Sequence, residues 1–203
     1  MNSILIDMLE FLVDLDKKIL LFLNSFHTQW LDPVMLLITK TVFWLPLYLF
    51  LLYLLVKNFK KDSWIVLIGI AIAILLADQI TSSFMKPFFE RLRPSREPSL
   101  QGLVHLVNEY TGGKYGFASS HAANTFATAL FFWLIFKDRY RWMWILFVWA
   151  VVMTYTRIYL GVHYPGDIII GMLIGLGAAW TGYKIQLWIW KKKVKPGESV
   201  SQG

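Results

Sequence analysis

Five runs of mostly apolar residues, at 33–56, 64–85, 120–136, 142–159 and 168–190, constrain this chain more than any other feature. A helix that crosses a bilayer needs about 20 such residues, or somewhat fewer when flanking aromatic and basic side chains reach the interface. The runs meet that demand. With 203 residues, 57% hydrophobic and 16% charged, the chain is too short to enclose a soluble core that hides so much apolar surface, so lipid is the expected solvent. The expected fold class is all-α: an integral membrane helical bundle with about five transmembrane helices. The last run carries Gly171 and Gly175 at a spacing that lets helix backbones approach closely.

Charge supplies the orientation. Lys57, Lys60 and Lys61, then Lys137, Arg139 and Arg141, then Lys191, Lys192, Lys193 and Lys195 fall at alternate ends of the runs and so share one face. Basic connections mark the cytoplasmic side of a cell membrane, here an inner membrane in the expected setting, and they place the C-terminus there. They also account for much of the +7 formal charge without nucleic acid as a partner. The long connection 86–118 and the short one 161–166 then face the periplasm or cell exterior. Lys86, Arg91, Arg93, Arg96, Lys114 and Arg157 lie on that outward face against the orientation rule, and an anionic ligand is one reason for them.

Residues 1–27 mix apolar positions with Asp7, Glu10, Asp14, Asp16, Lys17 and Lys18. Each charge would cost roughly 2.5 to 3.5 kcal/mol at a bilayer centre, so an amphipathic helix lying in the interface is expected rather than a span. The segment lacks a basic start and a small-residue cleavage site, which argues against a removable signal peptide. A single domain over 1–195 and a disordered polar tail over 196–203 complete the expected organisation. Without cysteine there is no disulfide framework, no thiolate nucleophile and no cysteine-bound metal.

Three polar clusters stand at the outward ends of the helices. The first is Lys86-Pro87-Phe88-Phe89-Glu90-Arg91-Leu92-Arg93-Pro94, where Lys86 and Arg93 would project from nearly one face if the stretch were helical, although Pro87 opposes that. The second is Gly116-Phe117-Ala118-Ser119-Ser120-His121, whose serines can cap a helix and leave its N–H groups free for an anion. The third runs from Thr156-Arg157 to His163 and Asp167, with Pro165 suited to the first turn of the last helix. A carboxylate at 167 can accept the proton of one ring nitrogen of His163 and leave the other aimed and basic. Taken singly, each has a plainer explanation: a basic loop at headgroups, a capping serine, a histidine–aspartate capping pair. Hydropathy alone nevertheless puts all three on one side of the membrane. Together they offer fixed cations, helix-terminal donors and two histidines, an inventory that suits phosphoryl transfer.

The clusters resemble the type-2 phosphatidic acid phosphatase superfamily, whose pattern is K-x6-R-P, then P-S-G-H, then S-R-x5-H-x3-D. This sequence has Lys86 to Arg93-Pro94, Ala118-Ser119-Ser120-His121, and Thr156-Arg157 to His163 to Asp167, so Ala118, Ser120 and Thr156 depart from the pattern. The resemblance implies that His163 is the nucleophile of a phosphohistidine intermediate, that Asp167 orients it and that His121 protonates the leaving group. It implies that Lys86, Arg93 and Arg157 grip the phosphate, with Ser119 and the N–H groups of Ser119, Ser120 and His121 completing the cradle. Ser120 puts in question a backbone contact that glycine makes easily. No metal and no organic cofactor are implied.

An interfacial site favours a lipid phosphate monoester or pyrophosphate as substrate. By resemblance undecaprenyl pyrophosphate ranks first, with phosphatidylglycerophosphate, phosphatidic acid and lipid A phosphates behind it. Competing readings are a vanadate-dependent haloperoxidase, which the apolar runs disfavour, a non-catalytic lipid-headgroup binding or translocating membrane protein, and a metal hydrolase. Asp78 and Lys40 fall inside expected spans, where an ionisable residue is a functional candidate by default, and Asn124 lies one turn after His121. His27 and His105 belong to no motif and read as surface residues, and Glu90 and Glu97 could pair with nearby arginines.

Overall fold

In the computed structural model, which describes residues 3–193, the apolar runs fold into helices that keep apolar side chains on their outer faces. The elements are α1 (Ser3–Asn24), α2 (Asp32–Ile38), α3 (Leu45–Phe59), α4 (Ser63–Asp78), α5 (Lys86–Phe89), α6 (Ser120–Phe136), α7 (Ile145–Tyr159) and α8 (Pro165–Lys193). A π-helical turn, Gln79–Met85, joins α4 to α5. Among the described residues the extended pairing is a single antiparallel bridge between Leu92 and Tyr115. The chain is thus an all-helical membrane bundle. Thr41–Phe89, Arg141–Tyr159 and Pro165–Lys193 are long and apolar enough to cross a bilayer, and Ser120–Phe136 is a shorter apolar helix. The tail expected at 196–203 lies outside the described residues.

The first of those stretches is a hairpin rather than a rod. Lys60 has φ 48°, which ends α3, and Thr41 and Asp78, from its two arms, line one cavity. The expected span 33–56 is also not continuous. Lys40 takes an extended conformation (φ −76°, ψ 126°) between α2 and a short 3-10 turn, and α3 begins with Pro46 in its first turn. The break turns Thr39 inward, where its hydroxyl is buried against α7. Lys40 itself is exposed at the break and touches no part of the site.

Helix α8 is the centre of the bundle, packed along both α4 and α6. Gly171 and Gly175 make that possible: a Cβ on either would collide with the carbonyl oxygen of Ser119 or of Ala123 on α6. Backbone therefore meets backbone at the N-terminal end of both helices. Below this contact Leu51, Leu55, Val66, Phe131, Phe136 and Met143 form a fully enclosed apolar core. At the far end Lys193 pairs with Asp62 and Phe59 packs on Trp190, so the basic connections do gather at one end of the molecule.

Helix α1 is observed where an amphipathic helix is expected, with Ile4 and Phe11 exposed. Its second half is docked on the protein. Leu20 is fully buried, and Asn24 donates to the carbonyls of Ile158 (3.1 Å) and Tyr159 (2.8 Å) while accepting from the His105 N–H (2.7 Å). One amide thus ties α1, the long connection and α7 together. His105 is only half-buried rather than free at the surface: its ring stacks on His27 at 3.8 Å and its Nε2 lies 3.0 Å from Asp32. Glu97 pairs with Lys17 of α1 and not with an arginine.

Candidate active site

Lys86 and Arg93 do not share a helix face. Helix α5 stops at Phe89 because Glu90 turns left-handed (φ 46°). Arg93 arrives instead on the extended pairing: its N–H donates to the Lys114 carbonyl (3.2 Å), and the Gly116 N–H donates to the Arg91 carbonyl (2.9 Å). The Ser95 N–H then donates to the Gly161 carbonyl (2.9 Å), docking the connection on the turn between α7 and α8. Gly112 (φ 65°) lies against the Arg93 guanidinium, where a Cβ would overlap Nη1, so a side chain there would displace the cation.

That same turn presents His163. Pro165 opens α8, and the Asp167 carboxylate reaches back one turn so that its Oδ2 lies 3.2 Å from His163 Nδ1 and accepts the Tyr164 N–H at 3.0 Å. An acceptor-only carboxylate on Nδ1 fixes the proton there and leaves Nε2 as the free lone pair. Both side chains are enclosed, His163 1% and Asp167 0% exposed. The Asp167 backbone carbonyl also accepts the Ser119 N–H (2.9 Å), stitching the start of α8 to the start of α6.

Ser119 is the N-cap of α6, its Oγ accepting the Ala122 N–H at 3.4 Å. Its own N–H is spent on Asp167, so of the three N–H groups in the expected cradle those of Ser120 and His121 remain for a ligand. Ser120, standing where the family pattern has glycine, anchors Lys86: its Oγ accepts from Lys86 Nζ at 2.6 Å and sits 3.0 Å from Thr81 Oγ1 and 2.9 Å from Ser82 Oγ. Both Thr81 and Ser82 come from the π-turn. A π-turn inserted in an otherwise α-helical stretch redirects side chains, and such turns concentrate at functional sites.

Arg157, 2% exposed, donates to Thr39 Oγ1 (2.8 Å) and to the Tyr110 hydroxyl (3.3 Å). Arg93 donates to the carbonyls of Tyr115 (3.1 Å) and Val162 (3.4 Å). Lys86, Arg93 and Arg157 are therefore held by neutral groups, and among the described residues none of them forms an ion pair. Arg93 and Arg157 are buried and Lys86 half-buried, and cations so placed without a counter-charge are costly, which makes the space between them a strong attractor for an anion. Burial, then the neighbouring Arg157, brings the Arg93 pKa down to about 10. Burial and the charges of Arg93, Arg157 and Lys86 hold His163 well below the usual imidazole range, so its Nε2 is unprotonated at neutral pH. Among the described residues no group of three or more His, Asp or Glu side chains is arranged to hold a metal ion.

The structure thus brings His163, Asp167, Arg93 and Arg157 to one end of the bundle, opposite the basic connections, with Ser119, Ser120, His121 and Lys86 at the facing helix end. Two participants have no signature in the sequence. Arg91, which reads there as one more loop cation, donates to Asp167 Oδ1 (2.9 Å) and to Asp16 Oδ2 of α1 (2.7 Å), and Asp16 Oδ1 accepts the Gly166 N–H (2.8 Å). Arg91 also stacks over the Tyr164 ring at 3.9 Å. Arg91 thus fixes the carboxylate that fixes His163. Arg91→Gln is expected to lower kcat about tenfold with little change in KM, because the Arg91 guanidinium is engaged by Asp167 and Asp16. The variant should also lose about 1–2 kcal/mol of stability in detergent, a figure discounted for the part of Arg91 that faces solvent. Equal loss in KM would place Arg91 on the substrate instead.

A model of the PAP2 superfamily matches residues 62–191. The chain is 45% identical over 181 residues to a lipid A 4'-phosphatase of Bacteroides thetaiotaomicron, covering 88% of this chain and 80% of that protein. It is 36% identical over 184 residues to a lipid A 4'-phosphatase of Porphyromonas gingivalis, covering 89% and 76%. A more distant relative is an undecaprenyl-diphosphatase of Sulfolobus acidocaldarius, 29% identical over 144 residues, covering 70% and 63%. Among solved structures, LpxE of Aquifex aeolicus superposes with a TM-score of 0.66 at 26% identity, covering 84% of this chain and 95% of that one.

Proposed function

Because this chain belongs to the PAP2 superfamily and is a membrane lipid phosphatase, we propose that its substrate is a lipid-linked sugar phosphate monoester of the lipid A 4'-phosphate class, hydrolysed through a phosphohistidine. Two buried arginines and the half-buried Lys86, none with a carboxylate partner among the described residues, together with an imidazole whose free nitrogen is Nε2, support this reading most directly. The substrate class follows the two lipid A 4'-phosphatases at 45% and 36% identity, whereas undecaprenyl diphosphate, first by motif resemblance, has a relative at 29%. The extra loop cations also do not argue for a diphosphate. Arg91 is held by two carboxylates and Arg96 by Thr111 and Gly112, and Lys114 is exposed.

In the first step His163 Nε2 attacks phosphorus in line with the ester oxygen. The N–P bond forms as the P–O bond breaks, and His121 gives its proton to the departing alcohol. Lys86, Arg93 and Arg157, with the N–H groups of Ser120 and His121, stabilise the charge on the equatorial oxygens. Water then attacks the phosphohistidine while His121 takes a proton from it, returning free phosphate and both histidines to their starting states. The phosphate dianion also supplies the charge that lets His121 carry a proton among three cations. The site end faces the periplasm or cell exterior and the C-terminus the cytoplasm, in keeping with the basic connections at the opposite end.

Phosphate release in detergent from lipid A, phosphatidic acid, phosphatidylglycerophosphate and undecaprenyl diphosphate tests the reading. Lipid A is expected to give the highest kcat/KM, and vanadate should inhibit by mimicking the phosphoryl group in transfer. Binding of all four without release would leave a headgroup-capturing protein instead. The pH profile should be bell-shaped. The alkaline limb of kcat reports loss of the His121 proton from the complex with bound phosphate, and the acid limb of kcat/KM, set by protonation of His163 in the free enzyme, should lie below the ordinary imidazole value of about 6.5. A rate constant that stays flat from about pH 5 to pH 9 would contradict the two-histidine scheme.

A further inference from the structure

The phosphate end of the site is accounted for, but the space on the other side of His121 is not. A cavity of about 500 Å³ runs from His121 and Ser120 down between α3, α4 and α6. Neither His163 nor Asp167, Arg93 or Arg157 lines it. Since His121 protonates the departing oxygen, a cavity that has His121 at its lip and excludes the nucleophile is where the leaving group lies. A shallower groove on the outer face of α4 shares Leu67, Ile70, Ile74, Asp78 and Asn124 with this cavity and includes the exposed Leu75, so the two spaces adjoin along α4, with Asp78 and Asn124 the polar residues common to both, and reach the lipid-facing surface.

The walls there are mostly apolar, including Tyr48, Leu51, Ile70 and Ile74. Thr125 and Thr128 donate their hydroxyl protons to carbonyls of their own helix. Asp78 differs: its Oδ1 accepts from Ser82 Oγ at 3.2 Å, and its Oδ2 has no partner among the described residues. The Asn124 Oδ1 is buried and likewise has no partner among the described residues.

We infer that Asp78 and Asn124 form a selectivity wall for the leaving group, favouring a sugar alcohol whose hydroxyl and amide groups lie next to the departing oxygen and opposing a leaving group in which that oxygen belongs to a second phosphate. This deepens the proposed function and rests on it. A sugar alcohol donates hydroxyl protons to the Asp78 carboxylate and exchanges hydrogen bonds with the Asn124 amide. A polyprenyl diphosphate instead departs as a lipid monophosphate, which sets an anion beside that carboxylate in a low-dielectric wall. A glycerolipid monophosphate leaves as a neutral alcohol with little to hydrogen-bond, and is intermediate. The carboxylate therefore works as a repulsive element toward diphosphates while the cation cage accepts the transferring phosphoryl group of either substrate.

Asp78 also reaches Lys86 through Ser82, whose Oγ lies 3.5 Å from Lys86 Nζ. The test therefore reads a ratio between substrates rather than a rate. Full-length protein in detergent is assayed on an acylated glucosamine 4-phosphate, phosphatidic acid and undecaprenyl diphosphate. In Asp78→Asn the ratio of kcat/KM for the diphosphate to that for the acylated sugar phosphate is expected to rise about tenfold, with phosphatidic acid between. Asn124→Asp, which adds a carboxylate to the same wall, is expected to move the ratio about as far in the opposite direction, and gives a second reading should Asp78→Asn not fold. If Asp78→Asn lowers all three substrates equally, Asp78 serves only to hold Lys86 and the inference is overturned. It is overturned too if Asn124→Asp leaves the ratio where it was. Wild-type protein inert toward all three would sink the lipid phosphatase reading itself, and the selectivity wall with it.

Discussion

His163→Ala is expected to lower kcat for lipid-phosphate hydrolysis by roughly 10^4- to 10^6-fold, the loss typical of removing a covalent nucleophile whose partners remain in place. Lys86, Arg93 and Arg157 are held by Ser120, by backbone carbonyls and by Thr39 and Tyr110, none of which depends on the imidazole. The phosphate cage therefore survives the substitution, and substrate affinity measured by inhibition or direct binding should change by only a few fold. Acid-quenched wild-type enzyme should carry a phosphate that is stable to base and labile to acid, as a phosphoramidate is, and the variant should carry none. Activity within tenfold of wild type would remove His163 as nucleophile and return the pocket to headgroup capture.

Asp167→Asn should cost about 10^3- to 10^4-fold in kcat, by analogy with other carboxylates that orient a catalytic imidazole. An amide of the same size can present its NH2 to His163 Nδ1, which then favours the tautomer with the proton on Nε2, the atom that must attack. The change also leaves the Arg91 guanidinium with Asp16 as its carboxylate partner, and a loss of about 2 kcal/mol in stability is expected once partial solvent exposure of Arg91 is allowed for. KM should move little, since Asp167 faces away from the phosphate cage toward Arg91 and the Tyr164 N–H. A variant that keeps more than a tenth of wild-type kcat would show that tertiary packing alone holds the His163 ring.

The residues that turned out to be readable from the sequence are those whose meaning is local. Hydropathy located the long apolar helices, and Pro165 two residues before Asp167 located the turn where His163 sits, because a proline at the first helical position and a carboxylate in the first turn act over a few residues. The break at Lys40 was not legible: an apolar stretch scores alike whether or not one residue in it turns extended, and the reason for the turn is the buried meeting of Thr39 with Arg157, far away in sequence. Arg91 and Asp16 escaped for the same reason, since Arg91 binds an aspartate 75 residues before it and another 76 residues after it, with no periodicity to mark either. The spending of the Ser119 N–H on Asp167 depends on how two helices dock, which the four-residue glycine spacing hinted at without naming the partner. Ser120 looked like a blemish on the motif, and only its position 2.6 Å from Lys86 Nζ makes it an anchor.

The contact that Gly171 and Gly175 create between α6 and α8 is made by main-chain atoms and the rigid Ala122 methyl, with no rotatable side chain in it to yield. The spacing between His163, on the turn before α8, and His121, in the first turn of α6, is therefore set by main-chain dimensions, over which a shift of side-chain rotamers has little leverage. Gly182 against the carbonyl oxygen of Gly69 repeats this arrangement between α8 and α4, so both helices that flank α8 are held at backbone distance from it.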